Sequence, residues 1–288
     1  GGRTRPNLKI QDGCSNVCSF CIIPSVRGMS RSMPASQVIE QVRNLAANYR
    51  EIVLTGINLG RWGREPGFQP DQRMRLADLL KRIVNETEIA RLRLSSIEPM
   101  DLSGDLLELM ASEPRIGKHV HAPLQSGSDT VLKRMKRRYR VRHYEDRIRH
   151  SFALMPDAAY GADVMTGFPG ETPQEFSQTV DFIERMPFTY LHVFTYSERP
   201  GTPAATYPDQ VPKAVVQERY ERLVTLVDDI AWEENKRLVG QEVEVLTSVG
   251  EGRKDQATHR KTGRARDGRL VHFLDIDDRA RPGDLVST

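Results

Sequence analysis

Cysteine is nearly absent: the 288 residues hold three, at positions 14, 18 and 21. A secreted disulfide scaffold would spread an even number along the chain, so the clustering suits a reducing compartment and a metal site instead. Aromatic residues make up only 7%, and no apolar run approaches the roughly 18 residues of a membrane span. There is no secretory signal, no internal repeat and no low-complexity tract. These absences point to a cytoplasmic protein with no membrane partner. The opening Gly1-Gly2-Arg3-Thr4-Arg5 reads as a linker rather than a natural start, so the natural protein is expected to be longer.

The net charge of +3 is modest and predicts no partner by itself. Its distribution says more. Lys133, Arg134, Lys136, Arg137, Arg138, Arg140 and Arg142 follow one another without an acid. From Arg253 to Arg269, seven Lys/Arg stand against Asp255 and Asp267. Such local blocks attract polyanions better than a uniform excess does.

Between Leu8 and Arg237 short apolar pieces alternate with longer amphipathic ones. Leu8–Gln11, Glu51–Thr55, Arg91–Ser95, Lys118–His121, Ala159–Met165 and Tyr190–Thr195 read as strands. Pro34–Asn48, Leu76–Thr87, Leu102–Ala111, Asp129–Met135, His143–Leu154 and Pro173–Arg185 read as helices. The alternation implies an α/β fold, a partial (β/α)6 TIM-like barrel whose ligands bind at the C-terminal strand ends. A long helix, Lys213–Leu238, closes this domain, residues 1–238. The texture then changes. Gln241–Leu246, Gly263–Arg266, Leu270–Phe273 and Asp284–Ser287 suggest a small all-β barrel over residues 239–288.

Directly after the first strand comes Cys14-Ser15-Asn16-Val17-Cys18-Ser19-Phe20-Cys21. Three thiolates on one loop can hold three irons of a cubane cluster and leave the fourth iron open for a chelating small molecule. Zinc is the metal alternative, but a structural zinc needs four protein ligands, and no histidine lies close in sequence. Thiols without a metal are the third possibility. Polar and glycine residues recur at the other strand ends: Thr55 and Gly56, Glu98, Gln125 and Ser126, Gly167 and Phe168. Together these make a ligand-binding rim. His143, His150 and His192 are assigned to structure.

The C-x-x-x-C-x-x-C spacing with Phe20 before the last cysteine resembles the radical S-adenosylmethionine (SAM) superfamily. The resemblance implies a [4Fe–4S] cluster on Cys14, Cys18 and Cys21, with SAM on the open iron cleaved to a 5′-deoxyadenosyl radical. It further implies SAM contacts from Thr55, Gly56, Glu98, Gln125, Ser126, Gly167 and Phe168. Lys9–Cys14, Cys21–Pro24, Arg27-Gly28, Arg31-Ser32, Pro123–Ser128, Gly167–Thr172 and Tyr196–Ala204 resemble the methylthiotransferases. These enzymes replace a C–H hydrogen with a methylthio group and end in a TRAM domain, a small β-barrel that binds RNA. Leu54–Gly60 and Lys133–Tyr139 look most like the MtaB branch. That branch modifies carbon 2 of N6-threonylcarbamoyladenosine beside the tRNA anticodon. Sister branches act on isopentenyladenosine in tRNA or on a ribosomal-protein aspartate.

The expected partners are a tRNA anticodon loop and a reductant such as flavodoxin or ferredoxin, with the chain itself monomeric. Arg27 and Arg31 are candidates for substrate phosphate or the SAM carboxylate. Arg137 and Arg138 are candidates for RNA, as are Arg260 and Lys261 in a set with Arg253, Lys254, His259, Arg264 and Arg266. Asp275, Asp277, Asp278 and Asp284 are expected away from the RNA face. The family's second [4Fe–4S] cluster needs three further cysteines in an N-terminal domain, and this chain does not encode them. A non-catalytic RNA-binding module with a structural cluster is the reading from another class.

Overall fold

A computed structural model describes residues 4–68, 74–248 and 258–288. Arg253 and Lys254 therefore lie outside the described residues. The strands β1 (Asn7–Asp12), β3 (Glu51–Gly56) and β4 (Arg91–Leu94) pair in parallel, as do β5 (His119–His121), β6 (Ala159–Thr166) and β7 (Tyr190–Thr195). The six strands expected from the sequence are therefore present. Between β4 and β5 the ladder thins to a seam at Leu92, which accepts from Gly117 N at 2.8 Å and donates to Arg115 O at 2.7 Å.

The helices cover the outer face. They are α2 (Ala35–Ala46), α3 (Leu76–Glu86), α4 (Gly104–Ser112), α6 (Val141–Leu154) and α7 (Pro173–Arg185). Each buries a stripe, such as Val38, Ile39 and Val42 on α2 or Phe176, Val180 and Ile183 on α7. These stripes meet Ile10, Leu54, Leu92, Val120 and Val164 from the strands in one continuous core. Pro173 and the capping box between Thr172 and Glu175 start α7, which is why its sequence-read boundaries match by residue.

One α-helix and one strand were not read from the sequence: α1 (Ile23–Arg27) and the two-residue β2 (Arg31–Ser32), which runs antiparallel to β1. The short helix α5 (Asp129–Arg134) precedes α6, and the long α8 (Lys213–Lys236) packs on β7 and β6.

The chain then forms β8 (Glu244–Thr247), β9 (Arg260–Ala265), β10 (Leu270–Leu274) and β11 (Leu285–Ser287). These make a separate antiparallel sheet in the order β10-β9-β8-β11. It joins the barrel at the N-terminal ends of the strands. Glu51, fully buried at the start of β3, binds Arg91 at 3.1 Å, Arg93 at 3.2 Å and Arg5 at 3.3 Å. Arg91 also pairs with Glu244 of β8, Arg93 donates to Arg266 O at 2.9 Å, and Arg266 donates to Pro114 O. No helix is long and apolar enough to cross a membrane among the described residues.

Candidate metal centre

The cysteines occupy the loop after β1, at the C-terminal end of the barrel, and the local chain is built to hold that loop. Gly13 takes a positive φ of 68°, and a Cβ there would lie 2.1 Å from Met29 O. Only glycine permits the approach. Cys14 N then donates to Gly28 O at 3.0 Å, and the chain returns through α1 to β2. The buried Gln11 amide donates to Gly13 O at 2.8 Å and Ser30 Oγ at 2.9 Å, while its oxygen accepts from Asn58 N at 2.7 Å. Gln11 thus ties the cysteine loop to the loop after β3. Gly56 is glycine because a Cβ would press on that same Gln11 oxygen, at 2.8 Å.

The far side of the loop is pinned as well. Ser19 N donates to Met135 O at 2.9 Å, and Ser19 O accepts from Ala204 N at 2.8 Å. The Phe20 ring stands edge-on to Phe168 at 6.3 Å, and Phe168 also meets Tyr196 and Tyr207.

Nitrogen donors face the sulfurs. Arg137 Nη1 lies 3.2 Å from Cys18 Sγ, Asn16 N lies 3.4 Å from Cys14 Sγ, and Asn58 Nδ2 lies 3.6 Å from Cys14 Sγ. The other arm of Arg137 holds Glu98 Oε2 at 2.6 Å. Its guanidinium also lies over the Tyr139 ring, whose hydroxyl donates to Pro123 O and Leu124 O. Burial alone would lower the pKa of Arg137, but Tyr139, Glu98 and Cys18 raise it well above its ordinary value. It is therefore a fixed positive charge beside the thiols. Burial pushes the Cys21 thiol up, and Cys18 and Cys14 add to the effect. A thiol raised in this way is ionised more readily when a metal binds it.

The donor set fits a cubane cluster better than zinc. A structural zinc would need a fourth protein ligand beside the three sulfurs. A tetrahedral zinc with bonds of about 2.3 Å would draw them to about 3.8 Å, whereas a cubane spreads its thiolates over three irons. Unpartnered polar atoms follow three of the strands. Asn58 Oδ1 after β3, Ser95 Oγ after β4 and the Tyr196 hydroxyl after β7 are buried without a hydrogen-bond partner. Buried groups left this way call for a partner such as a water or a polar ligand.

The other expected residues divide. Thr55, Gly56 and Glu98 reach the mouth at strand ends, and Phe168 backs the cysteine loop from a fully buried position. Gln125 has a φ of 67° and is tied by its backbone to Asp163 O at 2.7 Å and Met165 N at 2.9 Å. Such a strained non-glycine residue is typical of ligand sites. Gly167 has a φ of 74° and faces Val216 of α8. Its N–H donates to the buried Glu171, which Arg219 of α8 holds at 2.7 Å.

Several expectations need correcting. Ser126 is wholly buried, and its hydroxyl faces Thr179 of α7 at 3.4 Å, so packing takes it away from any ligand. Arg137 points inward to Cys18 and Glu98 rather than outward to RNA. Arg31 donates to Arg27 O at 2.9 Å and Met29 O at 3.2 Å and so braces the loop, while Arg27 is exposed. Arg264 and Arg266 turn toward the barrel side of the C-terminal sheet, Arg264 lining a cavity with Arg5 and Arg93. Arg138 and Arg260 are exposed, and Lys261 pairs with Asp278 at 2.9 Å, which puts that acid on the basic face. Gln11, Asn58 and the inward role of Arg137 were not singled out from the sequence. A glutamine and an arginine read as polar there, and only the fold shows that they are buried.

Residues 8–183 match the family described as the Radical SAM superfamily. Among curated proteins, the tRNA-2-methylthio-N(6)-dimethylallyladenosine synthase of Salinispora arenicola is 46% identical over 284 residues, covering 98% of this chain and 56% of that protein. The protein of the same name from Mycobacterium avium is 47% identical over 285 residues, covering 98% and 40%. The chain spans about half the length of the curated relatives it matches. Among solved structures, coproporphyrinogen III oxidase of Escherichia coli, described as a radical SAM enzyme, aligns with a TM-score of 0.57 at 13% identity. The alignment covers 96% of this chain and 62% of that one.

Proposed function

Because the chain belongs to the radical SAM superfamily, we propose that it is the radical-generating core of a tRNA methylthiotransferase acting on N6-dimethylallyladenosine. The observation that carries the reading is the pinned three-cysteine loop with Asn58 and Arg137 nitrogens set against its sulfurs. The relatives' printed name supports the nucleoside. It agrees with the isopentenyladenosine alternative raised from the sequence rather than with the threonylcarbamoyl branch, and the proposal moves accordingly.

In this reading Cys14, Cys18 and Cys21 hold a [4Fe–4S] cluster, which together with SAM supplies a one-electron cleavage whose product abstracts hydrogen. The chain's own residues do the rest. Arg137 neutralises Cys18 and orients Glu98. Asn58 and Ser95 offer oxygens to the ligand, while Thr55, Gly56, Gln125 and Gly167 shape the rim. Phe20 and Phe168 close the back of the loop against water. The exposed Lys133, Lys136, Arg138, Arg140 and Arg142 lie on the segment that carries Arg137 and meet phosphate. Their contacts are salt-dependent and blind to sequence. An anticodon-loop adenosine is extruded at lower cost than a duplex base. The C-terminal sheet, read as a TRAM domain over residues 239–288, presents Arg260 and Lys261 to RNA. An external reductant supplies the electron.

The test uses cells lacking the gene, complemented with the full-length protein, and tRNA nucleosides resolved by mass spectrometry. The 2-methylthio derivative of dimethylallyladenosine should vanish on deletion. It should return with the wild type and stay absent with Cys14→Ala. A change in the threonylcarbamoyl nucleoside alone would return the substrate to the other branch. No change in any methylthio nucleoside would remove the transferase reading.

A further inference from the structure

Away from the cysteine loop, the barrel lumen carries a second constellation. His121 ends β5, Asp163 lies mid-way along β6, and His192 lies on β7 directly opposite Asp163 in the parallel register. One carboxylate oxygen, Asp163 Oδ1, lies 3.1 Å from His121 Nε2 and 3.2 Å from His192 Nδ1. One ligand atom from each residue falls within 4.8 Å of the other two. The set opens on a cavity of about 720 Å³ between the lumen, α8 and the C-terminal sheet, lined also by Arg5, Ser95, Tyr190 and Asn235. His192 had been assigned to structure from the sequence, yet it is largely exposed to that cavity.

We propose that His121 Nε2, Asp163 and His192 Nδ1 form a binding site for a first-row divalent metal ion, with zinc as its probe. Around a tetrahedral ion with bonds of about 2.05 Å, neighbouring ligand atoms stand about 3.3 Å apart. The two separations to Asp163 Oδ1 approach that spacing, and the histidine nitrogens lie within 4.8 Å of each other. Two imidazoles and a carboxylate form a borderline-soft donor set that suits zinc, cobalt or ferrous iron and leaves coordination positions open to the cavity.

The surroundings are organised as the outer shell of such a site. The Tyr190 hydroxyl lies 2.9 Å from His121 Nδ1 and 2.6 Å from His119 Nε2. When Tyr190 donates to His119 and accepts from His121 Nδ1–H, His121 Nε2 is left as the metal-binding nitrogen. Three adjacent parallel strands supply the three ligands, so their spacing is set by the sheet rather than by loops. The proposal is independent of the tRNA reading. A carboxylate bridging two imidazole N–H groups gives similar distances, and the experiment separates the two arrangements by counting metal.

Protein with its cysteine site already filled with iron is dialysed anaerobically against micromolar zinc. Zinc and iron are then counted per chain, and X-ray absorption reports the ligands of zinc. The expected result is one zinc with nitrogen and oxygen ligands and an unchanged iron count. The zinc should be lost, or weakened at least tenfold, in His192→Ala and in Asp163→Asn, with the iron content and circular dichroism of both variants retained. His192→Ala alters an exposed side chain and keeps the fold available for the test. Zinc bound only through sulfur, no zinc at all, or zinc unaffected by both variants would each overturn the proposal.

Discussion

The two basic stretches of this chain sit at opposite ends of the barrel and use their arginines differently. At the cysteine end, Arg134 turns to Glu175 at 2.8 Å and Arg137 to Glu98 and Cys18, while Lys133, Lys136, Arg138, Arg140 and Arg142 stay exposed. At the other end, Arg266 reaches Pro114 and Arg269 pairs with Asp267 at 2.7 Å, while Arg260 stays exposed. A run of like charge in a sequence therefore mixes two populations. One is tied inward by ion pairs and hydrogen bonds and holds the fold or the metal loop. The other faces solvent and is available to a polyanion.

The largest effect is expected at the junction of the barrel and the C-terminal sheet. Glu51→Ala would leave Arg5, Arg91 and Arg93 facing one another around an empty buried position. Breaking a buried ion network by removing one partner costs about 4 kcal/mol. An unfolding free energy from urea titration that drops by less than about 1 kcal/mol would show that the junction is held by packing instead.

Next comes the cysteine end. Arg137→Met should cost about 3 kcal/mol and leave Glu98 without its partner. The purified protein should also retain well under half of the wild-type iron. The adjacent Arg138→Ala should change stability by no more than about 0.5 kcal/mol and leave iron unchanged. Equal behaviour of the two variants would erase the distinction between inward and outward arginines.

Acid should separate the ends a third way. Burial and neighbouring Arg93 lower the pKa of His119 from 6.5 to about 3. The unfolded chain then binds a proton that the folded chain refuses. Stability falls as pH drops below 6.5, by up to about 1.4 kcal/mol per unit, until about pH 3. His119→Gln should flatten that slope in urea titrations at several pH values. Glu175 behaves oppositely in kind. Burial opposes its charge, but hydrogen bonds from Arg134, Thr130 and the Thr172 backbone carry its pKa down from 4.5 to about 2. Its contribution is complete above pH 4.5 and is lost only as pH falls toward 2. Arg134→Ala should therefore lower stability by a constant amount above pH 4.5, and its difference from the wild type should shrink as pH falls from 4.5 toward 2.

The smallest effects concern RNA. Arg138→Ala and Arg260→Ala should each lower the slope of log affinity against log salt by about 0.7 for a single-stranded target. Fluorescence anisotropy with an anticodon stem-loop at several salt concentrations measures this. An unchanged slope for Arg260→Ala alone would confine RNA to the cysteine end.

The sequence made the regular elements legible where local chemistry sets them. Pro173 with Thr172 and Glu175 marks α7, and the alternation of apolar pieces gives all six parallel strands. The cysteine loop was legible because three thiols at that spacing have few uses. Features that depend on distant partners were not. α1 and β2 exist because Gly13 lets the chain return on itself. Gln11 is a plain polar residue until Asn58 and Gly13 close around it. Ser126 looks like a ligand contact until Thr179 covers it. His121, Asp163 and His192 are 42 and 29 residues apart in sequence and meet only through the β5-β6-β7 register.

The central claim is that Cys14, Cys18 and Cys21 hold a cluster whose remaining iron takes SAM. Anaerobic reconstitution with iron and sulfide, followed by dithionite and SAM, tests it in one experiment. The account predicts about four irons per chain and release of 5′-deoxyadenosine, both abolished when the three cysteines are changed to alanine. Iron retained equally by the alanine variant, or a verified cluster that releases no deoxyadenosine, would contradict it.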